Sequence, residues 1–566
     1  MSNKLNLVLC WHMHQPYYRE GLDGDYQLPW VYLHGIKDYD DMADHLEKYP
    51  RMKAVVNFAP VLLEQLDDYA KQIKAFLNDG TATSDPLLNL LGGATPIPPN
   101  VNERRELIQT CRRAHAPRMI DPYPHFHALL QQFPSSDREA GQEMLLTYLD
   151  EQYFVDLLMW YHLAWCSYRL KQTPEIRLLI EKARSFSSED QRTLLQIIQK
   201  TLESIIPRYR KLAERGQVEI SMTPWGHPIV PLLNDFNNMI ETQPDAPMPE
   251  HSHYPDGVER SRWHLRYGIQ RFEHFFGFRP QGIWLSEGAV SDDALKLLDE
   301  LDVRWTASGE AVWHHSCMTS ACDPDDMACR RALFIPYRLN ENQTLLYFRD
   351  DGLSDLIGFE YSKWHADDAV TDFLGHLERI AGSLGDEAGD HVVSVILDGE
   401  NAWEYYPNNG HYFLDALYQA VSDSEVIQST TFSEASNRVR KDTLSHLVPG
   451  SWVYGSFSTW IGSADKNHAW DLLADAKTAF DNRIALLSKK KAETATRLLA
   501  ICEASDWFWW FGDYNPSDSV NDFDRLFRIQ IRTLYCALDM TPPATLDTPI
   551  STGGGQMENA GTMRRN

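Results

Sequence analysis

The chain has 566 residues and a mass of 65.1 kDa. At about 150 residues per domain this is two to four domains, or one large barrel with appendages. Hydrophobic residues make up 43% and charged residues 23%, near the globular average, which excludes a disordered or fibrous chain. A net charge of −27 repels nucleic acid and anionic lipid, so neither a nucleic acid nor a membrane is expected as a partner. The 17 Trp, 25 Tyr and 23 Phe are an excess, and flat aromatic faces suit sugars or bases. The charge disfavours the bases.

Seven short apolar runs follow one another along the chain. They are 5–11 (LNLVLCW), 53–58 (KAVVNF), 217–221 (QVEIS), 281–285 (QGIWL), 303–307 (VRWTA), 344–348 (TLLYF) and 392–397 (VVSVIL). Their length and their Val, Ile and aromatic content fit buried parallel strands. Helical patterns lie between them. Ser188 and Gln191 form a capping-box pattern ahead of apolar residues at helical spacing, and Gly216 stops that helix. Ser291 caps the stretch DDALKLLDEL, whose two Asp complement the helix dipole. Strands alternating with helices predict a parallel α/β sheet with right-handed crossovers. Reactive side chains follow five or more of the strands, which favours a closed barrel over an open sheet with one switch point.

The expected organisation is a barrel domain over 1–410, with a mostly helical insertion at about 80–215. A helical domain over 411–546 and a disordered tail over 547–566 follow. The eight cysteines (10, 111, 166, 317, 322, 329, 502 and 536) are scattered and read as free thiols. The N-terminal apolar run is too short for a signal peptide or a membrane span, so a cytoplasmic protein is expected.

Several constellations carry chemistry. Glu287 and Asp398 each end a strand, and a carboxylate pair on a barrel rim is what a glycosidase needs. His12-Met13-His14 leaves two readings open, a metal-ligand pair or neutral donors to sugar hydroxyls. The metal reading implies a hydrolase of the amidohydrolase type, with Asp398 as a further ligand. Glu219, inside a buried strand, is either functional or part of a buried ion pair. Trp225-Gly226-His227 follows it. Arg349-Asp350-Asp351, with Asp355, is a strand-end charge cluster, either steering a carboxylate or forming an ordinary salt bridge. His314, His315, Cys317, Cys322 and Cys329 resemble a zinc set but lack a CxxC pair, and read better as a thiol-bearing loop. Trp452, Tyr454, Trp460 and Trp470 are interleaved with Gly, Ser and Asp, which favours exposure over core.

Five stretches then match a known family in order. They are HMHQP at 12–16, GQVEIS at 216–221, GIWLSEGAV at 282–290, VVSVILDGENAWEYYPNNG at 392–410 and SWVYGSFSTWIGSADKNHAWDLL at 451–473. The chain resembles glycoside hydrolase family 57, α-glucan-active enzymes that include α-amylases, amylopullulanases and 4-α-glucanotransferases. The resemblance implies a (β/α)7 barrel and a helical domain closing over the cleft. It implies a retaining mechanism, with Glu287 as nucleophile and Asp398 as general acid/base, and His14 and Glu219 in support. It implies α-1,4-glucan or malto-oligosaccharide substrates and no cofactor or metal. The fourth stretch is closest to the amylase and amylopullulanase-like branch, and branching activity ranks lower. Trp225, Trp284, Trp403 and Trp460 are the candidates for stacking on glucose. His12, His14 and His227 are candidates for hydroxyl contacts, with Arg349 and Asp350 beside them. A non-catalytic glucan-binding protein on the same barrel is the alternative from another class.

Overall fold

The computed structural model of the protein describes residues 4–133, 145–317 and 330–555. β1 (Leu5–Met13) is buried along its whole length. It pairs in parallel with β2 (Ala54–Phe58), and β2 pairs with β3 (Val218–Met222). The run 281–285 forms no continuous strand. It bridges Met222 through Ile283 and reaches the next strand, β4 (Trp305–Ser308), through Gly282. β5 (Tyr337–Leu339) is an antiparallel neighbour of β6 (Leu345–Phe348), and β6 pairs in parallel with β4. Arg349 then bridges Ser394 of β7 (Val392–Asp398), and β7 returns to β1 with His12 beside Asp398. Among the described residues the pairings therefore run through seven parallel segments and back to the start, in line with a (β/α)7 barrel. Apolar strands buried on both faces favour this closure, because it leaves no unpaired edge in the ring.

The helices form for local reasons. α1 (Pro60–Asp79) starts with Pro at its first position and ends at Gly80, whose φ of 80° is the left-handed cap. α2 (Glu151–Trp165) is capped by the Asp150 carboxylate. α3 (Ser188–Glu214) carries a capping box, but one residue earlier than expected, on Ser187 and Asp190 rather than Ser188 and Gln191. Asp serves as well as Glu at the third position because its carboxylate reaches the Ser187 backbone N–H at 2.6 Å. α4 (Gly257–Phe276), α5 (Asp292–Asp299, capped by Ser291 as expected), α6 (Ala366–Leu384) and α7 (His411–Asp423) follow.

Beyond residue 410 the chain does not become purely helical at once. β8 (Ile427–Ser429) pairs with β1, and β9 (Asp442–Leu444) pairs with β5. The break expected at residue 410 thus cuts through chain that is still bonded to barrel strands. Three-residue strands are too short to register as a period, which is why they escape a sequence reading. Helices alone follow from α8 (Ala464–Arg483) through α9 (Lys489–Cys502), α10 (Asp506–Trp510) and α11 (Ser517–Ala537). The stretch expected as a disordered tail from residue 547 is docked as far as residue 555. Ile550 and Ser551 donate backbone N–H groups to the Asp524 carboxylate at 2.7 and 3.2 Å, and Ser551 is buried. Residues 556–566 lie outside the described residues. Cys10, Cys111, Cys166, Cys502 and Cys536 are free thiols. No helix among the described residues is long and apolar enough to cross a membrane.

Candidate active site

At the C-terminal ends of β1, β2 and β3 the inward side chains are polar and bonded to each other. Asn57 donates to Ser221 Oγ at 3.0 Å, so its amide oxygen faces His12 Nδ1 at 2.7 Å and also accepts from the Thr223 hydroxyl at 2.9 Å. His12 Nδ1 therefore carries the proton and Nε2 is the acceptor. The partner of that acceptor is His227 Nε2 at 3.2 Å, and His227 Nδ1 in turn takes the Ser505 hydroxyl at 2.8 Å. Burial, reinforced by the neighbouring His14, pushes the His12 pKa down to about 3, and burial lowers His227 well below the usual range. Both rings are neutral at physiological pH, and their protons are ordered from Ser505 to Asn57.

His14 stacks on His227 with ring centroids 3.8 Å apart and an interplanar angle of 13°. Its Nε2 meets Asp506 Oδ1 at 2.8 Å. His14, His227 and Asp506 are thus close enough to suggest a shared ion. The stacking works against it. In-plane lone pairs of two parallel rings point along parallel planes, whereas a metal needs them to converge at about 2.0–2.1 Å. His12 has both ring nitrogens engaged within the protein, and its ring lies nearly parallel to that of His14 as well (18°). The reading of His12 and His14 as a chelating pair is therefore not supported by their geometry.

Glu287 sits in a short 3₁₀ turn, Ser286–Gly288, where the fourth bridging segment ends. Its φ of 60° and ψ of 21° are left-handed, a conformation costing a non-glycine residue roughly 1–2 kcal/mol. The Trp452 backbone N–H donates to the Glu287 carbonyl at 3.0 Å, and the Trp452 indole N–H donates to Glu287 Oε2 at 2.8 Å. His227 Nδ1 lies 4.0 Å from Oε1.

Asp398 ends β7 beside His12. Burial raises its pKa to about 6. Hydrogen bonding from Asn401 Nδ2 at 2.9 Å and the charges of His14 and Arg349 limit the rise. Two residues on, the buried Glu400 accepts from the His14 backbone N–H and from Gln15 Nε2, each at 3.2 Å. Burial, with the Asp398 charge added, holds its pKa well above the usual carboxylate range. Gly399 between them lies where a Cβ would meet Met13 Sδ at 2.1 Å, so only glycine brings the two carboxyls this close to β1.

These groups open into a cavity of about 1170 Å³. His12, His14, Glu287, Arg349 and Asp398 line it, as do Glu400 and Asp506. Its aromatic wall is Trp30, Tyr405, Trp452, Trp509, Trp510 and Phe523. None of the four tryptophans expected to stack on substrate lines it. Trp225, Trp284 and Trp460 are 0% exposed and Trp403 is 1% exposed, so all four are core. His227 lies beneath His14 rather than on the cavity wall. Glu219 accepts from Trp305 Nε1 at 2.6 Å and from the Ser433 backbone at 2.9 Å, away from the cavity and with no ion-pair partner among the described residues. Asp350 is buried, caps the helix Asp351–Asp355 through Leu353 and pairs with Arg330 at 2.9 Å. Arg349 donates to Ile396 O, Asp351 and Asp355 at 2.8–2.9 Å, so its polar edge is spent on the protein. Of the thiol and imidazole cluster, Cys322 and Cys329 lie outside the described residues. Cys317, at the end of the helix Glu310–Cys317, has its pKa raised to about 11 by burial.

Asp506, Trp509 and Trp510 are the functional candidates that sequence reasoning missed. Trp509 and Trp510 belong to a run of five aromatic residues at 507–511, whose composition suits a core, and Asp506 precedes it; Asp506 is marked by its contact with His14 across 492 residues and the two tryptophans by their place on the cavity wall.

A family model described as glycosyl hydrolase family 57 matches residues 8–447. No match was found among curated proteins. Among solved structures, the chain is similar to a GH57-type branching enzyme from Pyrococcus horikoshii at 16% identity, with a TM-score of 0.57 and 98% of each chain covered. It is also similar to the α-amylase AmyC from Thermotoga maritima at 13% identity, with a TM-score of 0.54, covering 95% of this chain and 93% of that one. At these identities the likeness speaks for the fold. The match to the family model over most of the chain, together with the barrel and its rim of acidic and imidazole groups, makes this protein an enzyme of glycosyl hydrolase family 57.

Proposed function

We propose that the protein cleaves α-1,4-linked glucans with retention, through a glycosyl ester on Glu287 and with Asp398 as general acid/base. The observation that carries this reading is the pair itself. Both carboxyls open into one aromatic-walled cavity, where the Trp452 indole N–H donates to Glu287 Oε2 at 2.8 Å and burial makes Asp398 hold its proton up to about pH 6.

In the first step a Glu287 oxygen forms a bond to the anomeric carbon as the glycosidic C–O bond breaks. Asp398 gives its proton to the departing oxygen. Neutralising Glu287 as an ester lowers the proton affinity of Asp398, which then takes a proton from the incoming water. The attack of that water returns the bonding pair to Glu287. A sugar hydroxyl in place of water gives 4-α-glucan transfer on the same residues. The extent of the cavity, which runs from Trp30 to Trp510 and exceeds one sugar, supports keeping this second outcome.

Incubation with maltoheptaose tests the reading. Shorter products alone mean hydrolysis, and a ladder of longer ones means transfer. Binding without turnover would leave a glucan-binding protein and defeat the proposal. Azide added to Glu287→Ala is expected to restore partial activity as a glycosyl azide.

A further inference from the structure

Trp452 is gripped from several sides at the point where it meets Glu287. Its backbone N–H holds the Glu287 carbonyl at 3.0 Å, which fixes the left-handed turn. Its indole N–H holds Oε2 at 2.8 Å, which fixes the carboxyl rotamer. Trp284 packs edge-on against its ring at 5.1 Å, and the Arg349 guanidinium lies over the ring at 5.3 Å. Arg349 is itself immobilised by Asp351 and Asp355. A Cβ at Gly309 would stand 2.7 Å from the Trp452 Cα, so the loop carrying Trp452 sits directly on the end of β4. An aromatic needed only as a sugar platform requires no such donor geometry.

We infer that Trp452 is a positioning residue that sets the charge and rotamer of Glu287 through its indole N–H, and that its main effect falls on the breakdown of the glycosyl ester. The inference rests on the nucleophile reading of Glu287. In the second step the ester C–O bond breaks, the bonding pair returns to Glu287, and Asp398 receives the proton of the attacking water. A donor already aimed at Oε2 stabilises the carboxylate as it leaves. In the first step the same donor makes the carboxylate slightly less nucleophilic, so its removal slows ester formation less than ester breakdown.

The test uses the full-length chain with Trp452→Phe, which keeps an aromatic ring and the backbone bond but removes the N–H. A second variant carries 3-benzothienylalanine at 452, an isostere of tryptophan without the donor, and covers the case in which phenylalanine packs poorly. The expected result with maltoheptaose is a fall in kcat of about ten- to hundredfold, the usual worth of a hydrogen bond to a charged group, with KM unchanged or lower. The acidic limb of kcat/KM should move to higher pH. With α-maltosyl fluoride, quenched enzyme should carry a maltosyl adduct by intact-mass spectrometry in both variants and far less of it in the unaltered protein. Wild-type kcat and pH profile with no added adduct, while Glu287→Gln is inactive, would overturn the inference and leave the nucleophile reading standing. A raised KM with unchanged kcat would overturn it in favour of a sugar-stacking role alone. An active Glu287→Gln would overturn the nucleophile reading and the inference with it.

Discussion

The floor and the wall of the cleft are built differently. The floor consists of His12, Asn57 and Ser221, neighbours across adjacent strands whose direction is set by the pleat and whose bonds are short in space because the strands are in register. The wall includes Trp452, Asp506, Trp509 and Phe523, which arrive from loops and helices; Trp452 meets Glu287 across 165 residues and Asp506 meets His14 across 492. A floor of this kind forms as soon as the strands pair. The wall forms only if the later helices dock. Their anchor is Glu503, which is fully buried and accepts from Arg260 twice at 2.7 Å, from His264 at 2.8 Å and from Tyr254 at 2.7 Å. Ser505 and Asp506 follow it directly and touch His227 and His14. The chemistry is therefore shared between a self-registering half and a half positioned by one buried carboxylate.

Substitutions can pull the two halves apart. The largest effect is expected at the chemical centre, where both halves meet. Glu287→Gln should reduce turnover of maltoheptaose by about 10³-fold or more with no loss of fold by circular dichroism. Asp398→Asn should cost about 10²–10⁴-fold on the same assay, as a general acid does. The unaltered protein should lose kcat/KM as pH rises above about 6, because Asp398 must hold its proton and its pKa is raised to that value by burial. A basic limb unmoved in Asp398→Asn would reject this assignment.

Glu503→Ala should destabilise the chain by about 3–5 kcal/mol in urea unfolding, since it leaves a buried Arg260 uncompensated. The Arg260 charge and the His264 hydrogen bond outweigh burial and depress the Glu503 pKa to about 2. Its contribution is therefore complete above the unfolded value of about 4.3 and is lost as pH falls toward 2. Glu503→Gln should flatten that acid dependence. A comparable change in the hidden tryptophans, such as Trp460→Ala, should cost about 3–5 kcal/mol of stability. Trp509→Ala sits at the small end. It should leave stability nearly unchanged and raise KM about three- to tenfold, the worth of one aromatic contact. Equal stability losses in Trp460→Ala and Trp509→Ala would erase the distinction between core and wall.

The tryptophans show where a sequence reading stops. Trp284 sits beside Glu287 in the chain, and Trp403 lies five residues after Asp398, so proximity suggests substrate contact. Both side chains point into the core, Trp403 against Trp11 at 5.6 Å and Trp284 against Trp452. Side-chain direction in a turn depends on local φ and ψ, and those follow from tertiary bonds such as the one from Trp452 to the Glu287 carbonyl. Trp509 and Trp510 failed in the opposite sense. A run of five aromatic residues suits a core, yet Trp509 and Trp510 of that run line the cavity.

The sequence alone determined the seven apolar runs, their polar ends and the two carboxyls that follow the fourth and seventh, because burial and period are local properties of the chain. Which aromatics face the cavity, that Glu219 and Asp350 bond within the scaffold, and that Asp506 meets His14 and Trp452 meets Glu287 were decided only by tertiary structure. Contacts across hundreds of residues depend on how the later helices dock, and no local pattern encodes that docking.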